Sequence, residues 1–201
     1  MSLTNAYIFG CSHAAGSEMT QAEGIKYSFP CLLAKYLGYN NIFNYSVPGG
    51  SNDAIFRILF QKIDQISEKD IVIVCWTGLN RTEIFNSTTQ SWQIINQSLA
   101  NNNYSKAWLI NHGEDNFGRL NKIKNILAFN SLTKKKNVKT INIDSFWPVW
   151  DIDLTDIFLV QENFWDWSLS KNYAKTANGH FDFDAHQDFA NFLLKNTNEL
   201  H

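Results

Sequence analysis

The stretch Ala6-Tyr-Ile-Phe-Gly10-Cys-Ser12-His-Ala-Ala-Gly16 decides how the rest of the chain is read. A short apolar run ends at Gly10, Ser12 follows at once, and the residues after it can open a helix. Strand, tight turn, nucleophile and helix in that order hold a hydroxyl at a sheet edge. Acyl transfer then needs a base for the hydroxyl proton and donors aimed at the developing oxyanion.

Outward from this turn, Ala6 to Gly10 is apolar throughout, as a central parallel strand covered on both faces would be. Phe29, Leu32, Leu33, Tyr36 and Leu37 recur at helical spacing, with Pro30 in the first turn and Gly38 as the stop. Ile42 to Ser46 reads as a second strand running into Val47-Pro-Gly49-Gly50, and Asp53 to Ile66 as a returning helix. Ile71 to Trp76 is continuous and β-branched, the clearest strand of the chain. The polar tract Asn86 to Ser105 reads as a weak helix or an ordered insertion, Ala107 to Asn111 as a fourth strand, and His112 to Gly118 as a loop. A helix over Arg119 to Lys136, a fifth strand over Thr140 to Asp144, an aromatic segment from Phe146 to Trp167 with no regular period, and a last helix over Asp184 to Leu194 follow. This alternation predicts an open parallel sheet of about five strands with helices on both faces, and ligands outside the carboxyl ends of its strands. Ser12, Gly49, Asn80 and the loop 112–118 fall at that edge.

With 201 residues, 44% of them hydrophobic and 18% charged, the chain is expected to form one domain, residues 1–201. Seventeen Lys and Arg against 19 Asp and Glu, a net charge of −2, give no electrostatic reason to expect nucleic acid as a partner. Lys134-Lys-Lys136, the one dense basic run, suits a solvated helix end. Three cysteines, Cys11, Cys31 and Cys75, argue against a disulfide framework. No apolar run approaches the roughly 20 residues of a membrane helix, so a soluble, cytoplasmic protein without a membrane partner is expected.

Four local signals line up along the chain: Gly10-Cys-Ser12 after the first strand, Asn44-x4-Gly49 after the second, Gly78-x-Asn80 after the third, and His180 before the last helix. This order resembles the SGNH hydrolases, or GDSL esterases. The resemblance implies a flavodoxin-like, three-layer α/β/α sandwich. It also implies that Ser12 is the nucleophile and supplies one oxyanion donor from its own N–H. Gly49 supplies a second backbone donor, the Asn80 amide the third, and His180 is the general base. Gly49-Gly-Ser-Asn52-Asp-Ala-Ile-x-Arg57 and Trp76-Thr-x3-Arg81-x-Glu83 look closer to a branch with several virus-encoded members. Cys11 and Arg81 stand where the family usually has Asp, and Ala177 stands where its acid is expected, three residues before His180. Asn178 is the nearest polar group and is expected to orient the imidazole. Asp144, Asp182 and Asp184 are the alternatives in space, and a dyad is what remains without them.

The expected activity is hydrolysis of a small acyl ester, such as acetate on a carbohydrate or another small molecule, with no cofactor and no metal. His112, Glu114 and Asp115 match no metal-binding spacing. A second reading is a catalytically impaired domain that binds carbohydrate or serves in a viral particle. A flavin or nucleotide binder is disfavoured, because Gly10 to Gly16 lacks the Gly-x-Gly-x-x-Gly and P-loop spacings. His13 is expected to point away from Ser12. Cys11 is expected to be a buried structural thiol, and the tryptophans between Trp147 and Trp167 chiefly core.

Overall fold

Alternating apolar residues on each strand divide the protein into two hydrophobic layers. The computed structural model describes residues 4–19, 24–96, 103–112, 115–146 and 159–197. Five parallel strands, β1 (Asn5–Gly10), β2 (Asn41–Asn44), β3 (Ile71–Trp76), β6 (Lys139–Asp144) and β7 (Leu159–Val160), form one sheet in the order β2-β1-β3-β6-β7. Ala6 and Ile8, Ile71 and Ile73, and Ile141 and Ile143 face α2 (Phe29–Tyr36), α6 (Phe164–Ser170) and α7 (Phe183–Thr197). Tyr7, Phe9, Val72, Val74 and Trp76 face α3 (Asn52–Lys62) and α5 (Asp115–Lys135). Period-two alternation puts one set of side chains in each layer, which makes the three-layer α/β/α architecture.

The fold class expected from the sequence is therefore present, with corrections in detail. Ala107 to Asn111 is not a strand: it lies in the helix α4 (Asn103–His112). The sheet reaches five strands through β7, inside the aromatic segment that showed no regular period. The start of the Asn86 to Ser105 tract is not helical either, since β4 (Arg81–Asn86) and β5 (Ser91–Asn96) pair as an antiparallel hairpin. Asn86 accepts the N–H groups of Thr88 and Thr89 through its side chain, an Asx turn that closes the hairpin. Trp147, Trp150 and Glu114 lie outside the described residues. Phe164 is fully buried against Phe29, Phe181 and Phe189, so this part of the aromatic segment is core.

On the α5 side, one polar cluster interrupts the apolar layer. Lys122 pairs with Asp144, and both side chains are 0% exposed. Beside them Trp76 donates its indole N–H to Asn142 at 3.0 Å, and Asn142 donates to Asn130 at 3.3 Å. Burial pushes the Asp144 carboxyl up to about 6 despite the Lys122 ammonium beside it. A buried pair is costly to break and less costly to replace whole. Lys122→Met is accordingly expected to lower unfolding free energy by about 3–5 kcal/mol, whereas Lys122→Met with Asp144→Leu recovers most of that loss, as measured by urea denaturation.

Candidate functional site

Strands β1 and β3 lie side by side, with β2 outside one and β6 outside the other, so successive connections leave this edge in opposite directions. That divergence falls at the carboxyl ends of β1 and β3, the position at which open α/β sheets bind ligands. The turn after β1 enters it. Cys11 is extended, and a one-turn helix α1 (Ser12–Ala15) ends at Gly16 with φ +66. A Cβ at Gly16 would lie 2.4 Å from the Gly24 carbonyl oxygen, so both dihedral and contact require glycine there. Ser12 is 6% exposed at the first position of α1, where the backbone N–H has no partner within the helix. Cys11 is fully buried, as expected of a structural thiol.

The Gly49 loop is tied to this turn by two contacts. Val47 donates its N–H to the Gly10 carbonyl at 2.9 Å, and the Asn44 amide donates to the Ala14 carbonyl at 2.8 Å. Gly49 follows with φ +75. The Asn80 loop is held by Asn52, which is 1% exposed, accepts the Thr77 N–H at 2.9 Å and donates to the Thr77 and Gly78 carbonyls at 3.3 Å. Gly118 of α5 presses on the same loop, since a Cβ there would lie 2.4 Å from the Leu79 carbonyl oxygen. Asn80 is half-buried, and its side-chain oxygen has no partner among the described residues. Arg57 and Glu83 form a bidentate ion pair at 2.7 and 2.9 Å beside this loop.

His180 comes from a tight loop before α7. Lys175 and Phe181 form an antiparallel bridge, Thr176 donates its N–H to the His180 carbonyl at 2.7 Å, and Gly179 turns the chain with φ +93. The imidazole packs on the ring of His13 with centroids 5.0 Å apart. Its Nδ1 lies 3.0 Å from Oε2 of Glu18, in the turn after α1. The contact is close but bent, since the Nδ1–H direction misses the oxygen and makes no directed hydrogen bond. Burial by itself would raise the Glu18 carboxyl, but the Thr176 hydrogen bond, the charge of His180 and the nearby Asn178 amide hold it below its ordinary value.

The alternatives weighed from sequence are engaged elsewhere. Asn178 lies beside the Glu18 carboxylate and helps hold it below its ordinary value. Asp144 pairs with Lys122, Asp182 accepts the Phe183 N–H at 2.8 Å, and Asp184 opens α7. Glu18 escaped sequence reading because 162 positions separate it from His180 and no local spacing joins them. His13 does not point away from the site. Ser12 and His13 are successive helical residues, not strand residues, and His13 is 1% exposed among Phe146, Phe164, Trp165 and His180. Among the described residues no three His, Cys, Asp or Glu side chains are grouped to hold a metal, and no helix is long and apolar enough to cross a membrane.

No family model matches the chain, and no curated protein matches it. Solved structures do. A lipolytic protein of the G-D-S-L family from Desulfitobacterium hafniense superposes with a TM-score of 0.56 at 11% identity, covering 96% of this chain and 98% of that one. A psychrotrophic esterase, EstA from Pseudoalteromonas, solved in an inhibited form with monoethylphosphonate, gives 0.57 at 13% identity over 98% and 97% of the two chains. A lipase from a goat rumen metagenome gives 0.58 at 11% over 94% and 95%. At such identities the likeness establishes a shared fold, that of the G-D-S-L lipolytic proteins.

The histidines make this edge sensitive to acid. Burial, and then the nearby His180 charge, lower His13 well below its ordinary 6.5, and the same causes bring His186 to about 3. His186 Nδ1 accepts the Phe29 N–H at 3.1 Å. A lowered imidazole stabilises the fold above its unfolded pKa and loses that contribution as pH falls; Asp144, raised to about 6, acts in the opposite sense. Two histidines against one carboxyl leave stability falling on acidification from about pH 6.5 to 5, by on the order of 1 kcal/mol per pH unit. His186→Gln should nearly flatten that slope in urea titrations across the window, and an unchanged slope would contradict the assignment.

Proposed function

We propose that the protein is a serine ester hydrolase acting through an acyl-Ser12 intermediate. The observation that carries this reading is the packing of His180 on the residue next to Ser12, at a sheet edge flanked by the Gly49 and Asn80 loops. With Nδ1 turned to Glu18, the His180 Nε2 is left for Ser12. Ser12 Oγ attacks the ester carbonyl carbon while Nε2 takes its proton. The oxyanion is held by the N–H groups of Ser12 and Gly49 and by the Asn80 amide. Collapse expels the alcohol, which leaves with the proton from Nε2. Water attacks the acyl-enzyme with Nε2 again as base, and Ser12 regains its proton as the acid departs.

The proposed substrate is a small acyl group such as acetate on a carbohydrate. A groove of about 440 Å³ between the hairpin and α5 carries the aromatic side chains Trp92, Trp108 and Phe117, though none of Ser12, Gly49, Asn80 or His180 lines it. Aromatic faces with nearby polar groups suit sugar rings. The esterase and lipase names of the fold neighbours agree with the reaction class. Ala177, standing where an acid is expected, favours the second reading, an impaired domain that binds carbohydrate or serves in a viral particle.

Hydrolysis of p-nitrophenyl acetate separates the two. Ser12→Ala and His180→Ala are expected to abolish turnover in folded protein, and Asn80→Ala to lower kcat by on the order of 100-fold or more. A wild type that neither hydrolyses the ester nor labels at Ser12 with a fluorophosphonate would transfer support to the binding domain.

A further inference from the structure

We propose that Glu18 is the positioning carboxylate of His180, delivered by the turn behind the nucleophile instead of the segment preceding the histidine. The inference rests on the hydrolase reading above and names the acid of that site. In a serine hydrolase the carboxylate opposite the base orients the imidazole, sets its tautomer and stabilises the imidazolium that forms. Glu18 Oε2 lies 3.0 Å from Nδ1, the nitrogen that must carry the proton if Nε2 is to accept from Ser12.

The carboxylate is itself fixed from the histidine's own loop. Thr176 donates its hydroxyl to Oε2 at 2.7 Å, and the same hydroxyl accepts the His180 N–H at 3.1 Å. The loop that carries Ala177 in place of the expected acid thus holds an acid brought from elsewhere. Glu18 also sits at φ +67, a left-handed conformation that costs a non-glycine residue about 1 kcal/mol and persists where surroundings impose it. Neither neighbouring histidine is served this way: His186 Nδ1 accepts a backbone N–H, and the buried His13 Nδ1 has no partner among the described residues. The bent contact suits a resting site, because catalytic hydrogen bonds are often poorly aligned until the substrate or transition state is bound, when the imidazole takes up the proton.

Glu18→Gln keeps shape and backbone but removes the charge, and Glu18→Asp keeps the charge one methylene short. With p-nitrophenyl acetate, Glu18→Gln is expected to lower kcat by on the order of 100-fold or more at little-changed KM, and Glu18→Asp to regain part of it. Independently of turnover, the downfield proton resonance of a carboxylate-bonded His180 Nδ1–H, observed with the imidazole protonated, should be present in wild type, weakened in Glu18→Asp and lost in Glu18→Gln. Wild-type kcat in Glu18→Gln, or a resonance indifferent to it, would overturn the assignment of Glu18 while leaving the hydrolase reading intact. An inactive wild type that still loses the resonance in Glu18→Gln would instead sink the hydrolase reading and keep the pairing.

Discussion

A parallel sheet ends abruptly along its carboxyl edge, where the backbone groups of each strand lose their ladder partners and must find others. In this protein those replacement bonds build the site. The Gly10 carbonyl takes the Val47 N–H, the Trp76 carbonyl takes the Ser145 N–H at 2.8 Å, and the buried Asn52 amide satisfies three backbone groups of Thr77 and Gly78. Each bond fastens the exit loop of one strand to its neighbour. Gly49 and Asn80 are therefore placed by the same contacts that keep the sheet edge from carrying unpaired polar groups.

A second constraint comes from the aromatic layer under the histidine loop. Phe164 and Phe181 are fully buried, and Trp165 and Phe146 close around His13. Within this low-dielectric layer an imidazolium is strongly disfavoured, which keeps His13 and His186 neutral. His180 occupies the rim, its side chain 20% exposed, where Glu18 and solvent can both reach it. One layer thus supplies a rigid floor and separates the histidine at the solvent-reached rim from two that pack inside it.

Several elements were legible because their signals are local. The apolar run Ile71 to Trp76, the spacing from Phe29 to Leu37 bounded by Pro30 and Gly38, and the Gly-x-Ser turn each carry their information within a dozen residues. The hairpin β4–β5 was not, because its two strands face solvent along much of their length and their polar residues hide the period. Ala107 to Asn111 is a five-residue, mostly apolar run whose length suits a strand, and it is helical only as part of the ten-residue α4, most of whose other residues are polar. The two-residue strand β7 depends almost wholly on pairing with β6.

By itself the sequence determined the three-layer class, the order of its blocks and the residue types brought to one edge, since periodicity and turn chemistry act between near neighbours. Only the tertiary structure decided which carboxylate faces His180 and that His13 lies against it. Asp144, Asp182 and Asp184 were the nearer candidates, yet buried Lys122 claims the first and the last two belong to the start of α7. Glu18 reaches the imidazole because the turn after α1 and the loop before α7 cross at the sheet edge. Such a contact follows from packing between distant segments, and no spacing along the chain encodes it.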